Sequence, residues 1–207
     1  MESRGKFIVI EGIDGCGKGT QTKLLSDFLS QKGEIFVNKY PEDGKPLGDL
    51  IDAWLHKKHE YNAEMQTLLY FSDFFKDKET VESYLKSGKM VVVDRYFTTT
   101  IVYQRMKGVP LEKILNLAEL FELPKPDICI LLKISPETSL SRKGKEKGSA
   151  NLDRHEEDKA FQTTVANGFD EVASNNTFCE WITINGERTT EEVFEDIKEI
   201  LNKKFGI

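Results

Sequence analysis

Short apolar runs punctuate this chain at Phe7–Ile10, Ile35–Val37, Met90–Val93, Ile128–Leu132 and Trp181–Ile184. Most are uninterrupted and rich in β-branched residues, the pattern of strands buried on both faces. Segments of helical spacing lie between them. Gln21–Gln31 and Leu47–Leu55 are two of these. Asn62 caps a long helix expected to run to about Lys86, with Met65, Leu68, Leu69, Phe75, Val81 and Leu85 near one face. Ser87 and Gly88 end it, glycine being favoured where a helix closes. Leu111–Leu123 reads as another helix, stopped by Pro124 and Pro126; a further one starts at Pro136, and Thr190–Lys204 is the last. Strands alternating with helices predict an α/β fold, a parallel sheet covered on both sides, in a single domain spanning 1–207. Ligands of such sheets gather beyond the carboxyl ends of the strands. Gly12, Tyr40, Asp94 and Ser135 fall there.

One of those strand ends has chemistry written into it. After Phe7–Ile10 come Gly12, Ile13, Asp14, Gly15, Cys16, Gly17 and Lys18, then Gly19, Thr20 and an amphipathic segment. Strand, glycine-rich loop and helix in this order make an anion trap. Close-wrapped backbone N–H groups and the positive end of the helix dipole meet a phosphate, and Lys18 reaches the outer phosphates of a nucleoside triphosphate. The usual formula has a hydroxyl directly after the lysine to hold magnesium. Here Gly19 stands there and Thr20 comes one residue later.

The bulk numbers narrow the partners. A 207-residue chain with 39% hydrophobic and 31% charged residues buries a core without staples. Its net charge of −6 argues against binding nucleic acid by bulk attraction, so phosphate must meet a local concentration of cations. Cys16, Cys129 and Cys179 are too far apart for a metal knuckle, and an odd count suits no disulfide framework. No apolar run has transmembrane length and no secretory leader is visible, which makes the cytoplasm the default.

Two polar features complete the inventory. Asp94-Arg95-Tyr96 follows an apolar strand, where an acid can hold magnesium, directly or through water, and an arginine can grip phosphate oxygens. Arg142 to Asp158 is nearly free of apolar residues and carries Arg142, Lys143, Lys145, Lys147 and Arg154. It reads as a mobile basic lid that closes over phosphates and expels water, against the plainer reading of a solvated loop.

Taken together, Gly12-x-Asp14-Gly15-x-Gly17-Lys18, Asp94-Arg95-Tyr96, Tyr103-Gln104, Leu152-Asp153-Arg154-x-Glu156 and the block Pro126–Glu137 resemble thymidylate kinases along nearly the whole chain. The resemblance implies a three-layer P-loop kinase fold with a five-stranded parallel sheet, usually a homodimer. It implies transfer of the γ-phosphoryl of ATP to dTMP with magnesium, giving dTDP on the way to dTTP. It assigns the ATP phosphates to Gly12–Thr20 with Lys18, and the metal to Asp94 and, indirectly or through water, Thr20. Asp14 is assigned to the acceptor's side of the loop and Arg95 to orienting both phosphates. The resemblance also assigns Tyr70 to stacking on the base, Tyr103 to crowding a 2′-hydroxyl, and Thr100 and Gln104 to reading the base. Gly15, where other members carry an arginine, implies that the catalytic cations come from the lid, Arg142 and Lys143 among them.

Three positions depart from the family pattern. Gly19 follows the P-loop lysine, Phe74 stands where a base-reading arginine is usual, and no arginine follows the second strand, leaving Lys39 or Lys45 as substitutes. These departures keep two alternatives in view: a kinase for another or several nucleoside monophosphates, and a nucleotide-binding switch without kinase activity.

Overall fold

The computed structural model describes residues 4–147 and 159–207. Five strands form one parallel sheet: β1 (Phe7–Glu11), β2 (Ile35–Lys39), β3 (Met90–Asp94), β4 (Ile128–Lys133) and β5 (Trp181–Asn185). Their order is β2-β3-β1-β4-β5, so β1 lies in the middle. Ile10 stands opposite Asp94 on one side, and Glu11 opposite Leu131 on the other. The three inner strands are almost wholly inaccessible, as their unbroken apolar runs predict, whereas the edge strand β2 is half-exposed. The helices are α1 (Lys18–Ser30), α2 (Pro46–Leu55), α3 (Ala63–Phe75), α4 (Lys78–Lys86), α5 (Phe97–Met106), α6 (Leu111–Leu120), α7 (Pro136–Lys147), α8 (Lys159–Ser174) and α9 (Thr190–Phe205). Among the described residues no helix is long and apolar enough to cross a membrane.

The expected single helix from Asn62 to Lys86 is two helices. Asn62 does cap the first, accepting from the Met65 N–H at 2.8 Å. The break falls at Lys76–Asp77, where the Asp77 carboxylate accepts from the Tyr40 hydroxyl at 2.7 Å and from the Asn38 amide at 3.0 Å. Tertiary hydrogen bonds to the end of β2 outweigh the local tendency to continue the helix. The segment Leu111–Leu123 is helical only to Leu120, and Glu122 adopts a left-handed conformation at φ 50°. α5 and α8 were not anticipated. The stretch Arg142–Asp158, expected as a lid loop, is helical up to Lys147 as part of α7. Residues 148–158, including Arg154, and the side chains of Lys145 and Lys147 lie outside what the structure describes.

Candidate active site

β1 ends in the buried Glu11, and the chain turns at once into the loop. Gly12 sits at φ 144°, and a Cβ there would lie 2.7 Å from both the Leu132 carbonyl oxygen and the Cys16 sulfur. Only glycine fits so close to β4. Lys18 opens α1, and its Nζ donates to the carbonyl oxygens of Gly12 at 2.9 Å and Ile13 at 3.0 Å. The first turn of α1 holds no acidic residue, so its dipole faces the loop uncompensated. Of the residues expected among the nucleotide contacts, Ile13 has its side chain in the core, and Gly12 and Ile13 lie next to the cleft-lining part of the loop, which begins at Asp14. Cys16 is a buried filler whose thiol is pushed up by burial.

Arg95 joins the loop to β3. Its backbone is left-handed at φ 64°, a conformation that costs a non-glycine residue free energy and that surrounding structure must hold in place. Its N–H donates to the Ile10 carbonyl at 3.0 Å, and its guanidinium reaches Asp14 Oδ1 at 2.6 Å. Burial alone would raise the Asp14 carboxyl. Arg95, then Lys18 and Lys143, outweigh it and hold that carboxyl well below the usual carboxylate range. Burial would lower the Arg95 guanidinium, but Asp14, Glu11 and Asp94 keep it charged.

Behind Arg95 lies a group the sequence reading missed. Glu11 Oε1 accepts from the Thr98 hydroxyl at 2.6 Å and from the N–H groups of Tyr96 and Thr99 at 3.1 Å each; Oε2 accepts from the Thr99 hydroxyl at 2.7 Å. The same Thr99 oxygen accepts from Arg95 Nη1 at 3.4 Å. Glu11 thus anchors the first turn of α5 and, through Thr99, the strained arginine. Burial pushes its carboxyl up, against the pull of Arg95 and the two hydroxyls. The available signal was an acid at the end of an otherwise apolar strand.

These groups border a cleft of about 1020 Å³ beyond the carboxyl ends of β1 and β3. Cys16 to Thr20 form its loop wall, with Asp14, Asp94 and Arg95 beside them. Tyr70 and Phe74 come from α3, and Thr100, Tyr103 and Gln104 from α5. Arg142 and Lys143 enter from α7. Arg142 is anchored to backbone: its guanidinium donates to the carbonyls of Gly15 and Gly186 at 3.2 Å. The Ser139 hydroxyl donates to the Asp14 carbonyl at 2.6 Å. α7 packs so closely that a Cβ on Gly15, at φ 76°, would meet the Ser139 carbonyl oxygen at 3.0 Å. Glycine in the loop and cations on α7 therefore go together. Lys39 lines the cleft, paired to Asp43 at 2.9 Å, whereas Lys45 does not. The far wall, Arg188 to Thr190 after β5, had no sequence signal.

The residues present fit a magnesium ion. Asp94 is 5% exposed, its Oδ1 is buried without a hydrogen-bond partner, and its Oδ2 lies 3.6 Å from where a Cβ on Gly19 would be. Among the described residues no trio of His, Cys, Asp or Glu gathers into a metal cage. That suits a cation that keeps its waters and binds one carboxylate plus substrate phosphates.

The sequence model of the thymidylate kinase family matches residues 10–197. The thymidylate kinase of Caldicellulosiruptor saccharolyticus is 35% identical over 203 residues, covering 96% of this chain and 97% of that protein. That of Danio rerio is 32% identical over 199 residues, covering 95% and 90%. A solved structure of the Candida albicans thymidylate kinase, described as revealing the origin of broad substrate specificity, superposes with a TM-score of 0.75 at 26% identity, over 98% of this chain and 93% of that one. Matched by that family model over residues 10–197 and by relatives above 30% identical along nearly its whole length, this chain belongs to the thymidylate kinase family, the ATP-using kinases that phosphorylate dTMP.

Proposed function

We propose that Arg95 is the hinge of the transfer, set between the ATP phosphates on the loop and the acceptor phosphate on the α3–α5 side of the cleft. The observation that supports this is the register of neighbouring parallel strands, which puts Asp94 opposite Ile10 and so brings Arg95 onto Asp14 at 2.6 Å. Lys18 and the loop N–H groups bind the donor phosphates, and Arg142 and Lys143 add positive charge from α7. Tyr70 stacks on the acceptor base, and Tyr103 packs against its sugar. Asp94, with the Thr20 hydroxyl directly or through water, would hold magnesium, which when bound neutralises phosphate charge. The work of the chain's own residues is alignment and charge neutralisation in a site with little water. The acceptor phosphate is already ionised at neutral pH, so no strong general base is required. Arg95→Ala should lower kcat by about 10³-fold while ATP still binds. Near-normal turnover in a coupled ADP-release assay would remove Arg95 from this role.

The reading extends to assembly. Leu68, Met65 and Phe75 on α3, with Leu120 and Phe121 at the end of α6, form an exposed apolar patch in which the Phe75 and Phe121 rings meet at 5.4 Å. Contiguous apolar surface of this kind marks an interface, here with a second copy of the chain in a cytoplasmic homodimer. Leu120→Lys should sediment as a monomer; a wild-type chain that is itself monomeric at assay concentration would exclude the dimer.

A further inference from the structure

The cleft face of α5 holds three buried polar atoms with no hydrogen-bond partner among the described residues: Thr100 Oγ1 and both Nε2 and Oε1 of Gln104. Thr100 is 1% exposed and Gln104 0%. They stand four residues apart on one helix, so they share a face, and both line the cleft. Buried polar groups are ordinarily paired, and leaving an amide bare costs about 1–3 kcal/mol per group. The pair of amide atoms calls for a ligand edge that offers one donor beside one acceptor.

What surrounds that amide determines which edges it accepts. From α3, Tyr70 and Phe74 face this end of the cleft, one turn apart. Phe74 is pinned in an aromatic cluster, 5.1 Å from Tyr40 edge-on and 5.3 Å from Tyr96. None of Tyr70, Phe74, Thr100, Tyr103 and Gln104 carries a formal charge at neutral pH. A glutamine amide turns about a broad, two-fold terminal torsion, and here no protein hydrogen bond fixes which way it points. In one orientation Oε1 accepts from N3–H of thymine or uracil while Nε2 donates to O4. Turned by half a rotation, Nε2 donates to N3 of cytosine while Oε1 accepts from its 4-amino group. The Thr100 hydroxyl, donor and acceptor both, follows either way. A fixed cationic donor would favour O4 and repel an amino group; an apolar Phe74 does neither.

We propose that this kinase reads the 4-position of a pyrimidine through a reversible amide alone, and therefore phosphorylates dCMP as a second substrate. The proposal rests on the assignment of the α3–α5 end of the cleft to the acceptor base. The transfer itself is unchanged. A phosphate oxygen of dCMP forms its bond to the γ-phosphorus of ATP as the bond from that phosphorus to the β–γ bridging oxygen breaks. The electron pair leaves with ADP, and dCDP is the product.

The decisive comparison is dCMP against dUMP, since both lack the 5-methyl group and differ at the base only in the donor and acceptor pattern of positions 3 and 4. With the full-length enzyme, ATP and magnesium, kcat/KM for dCMP should fall within about 10-fold of that for dUMP. Both should lie below dTMP by the roughly 10–200-fold that one missing methyl group is worth. Turnover of dTMP and dUMP with dCMP more than about 10³-fold lower would overturn the proposal and leave the site assignment standing. Silence on all three would overturn the assignment and the proposal together. Gln104→Leu, with neither donor nor acceptor, should lower kcat/KM for dCMP and for dUMP alike, by about 10-fold or more each, and unchanged rates on both would overturn the amide reading. Phe74→Arg should lower the dCMP-to-dUMP ratio. Because it disturbs the aromatic cluster, the Gln104→Leu result stands as the test if that variant does not fold.

Discussion

Two faces of α5 make opposite use of buried hydroxyl and amide groups. On one, Thr98 and Thr99 are fully engaged by Glu11, which reaches them from 87 and 88 residues away in sequence. On the other, Thr100 and, one turn further, Gln104 are as deeply buried, yet their polar side-chain atoms have no hydrogen-bond partner among the described residues. A buried threonine stands on each face. Only the presence of a partner distinguishes a polar group that holds the fold from one held ready for a ligand.

The strongest way to break this contrast is to delete the anchor. Glu11→Leu leaves two N–H groups and two hydroxyls of the first turn without their acceptor, so it should lose about 3–5 kcal/mol of stability and release Arg95, with kcat falling in parallel. Denaturant unfolding with an activity assay on the folded fraction measures both, and a stable, active variant would show that Arg95 is held by something else. A matched pair sharpens the contrast. Thr98→Val should cost about 1–2 kcal/mol with little change in KM for dTMP, whereas Thr100→Val should leave the melting temperature level or raise it while KM for dTMP rises several-fold. Equal thermal losses in both variants would erase the distinction between the two faces.

The smallest effect is in pH. The Glu11 carboxyl is raised above its ordinary value near 4.5, so between that value and the raised one the folded state binds more proton than the unfolded. Its contribution to stability is accordingly full at lower pH and falls as pH rises through that window. Glu11→Gln should flatten that part of a melting-temperature profile, and a profile identical to wild type would exclude the carboxyl as its source. The Thr100–Gln104 turn, with nothing to titrate, should contribute no slope.

How much of this was legible in the sequence follows the same division. The inner strands are continuous apolar runs because both their faces are covered, and the phosphate loop is local, with its strand, glycines, lysine and helix adjacent in the chain. α5 left no such trace. All eight residues from Phe97 to Gln104 are buried, so there is no polar face and no helical period to detect, and Thr-Thr-Thr-Ile-Val reads locally as strand. The break between α3 and α4 was invisible because Asp77 is claimed by Tyr40 and Asn38, far away in sequence. The Glu11 anchor is equally non-local. The sequence marks Arg142 as a lid cation but not its bonds to the Gly15 and Gly186 carbonyls, which tie the loop to the turn after β5. Membership of the kinase family answers the switch alternative, and Phe74, the departure most visible in the sequence, is the one the structure makes most consequential.

The central place of β1 has a consequence for how the protein is made. The strand that bears the phosphate loop is translated before the other four, but its neighbours are residues 91–94 on one side and 128–131 on the other. A parallel partner cannot be supplied by a nearby turn. Until the ribosome has passed Leu131, the most completely buried strand of the sheet therefore has at least one open edge, the condition in which nascent chains associate with one another. The segment on which catalysis depends is thus the one that waits longest for its partners, and early termination upstream of β4 would yield an aggregation-prone fragment rather than a smaller kinase.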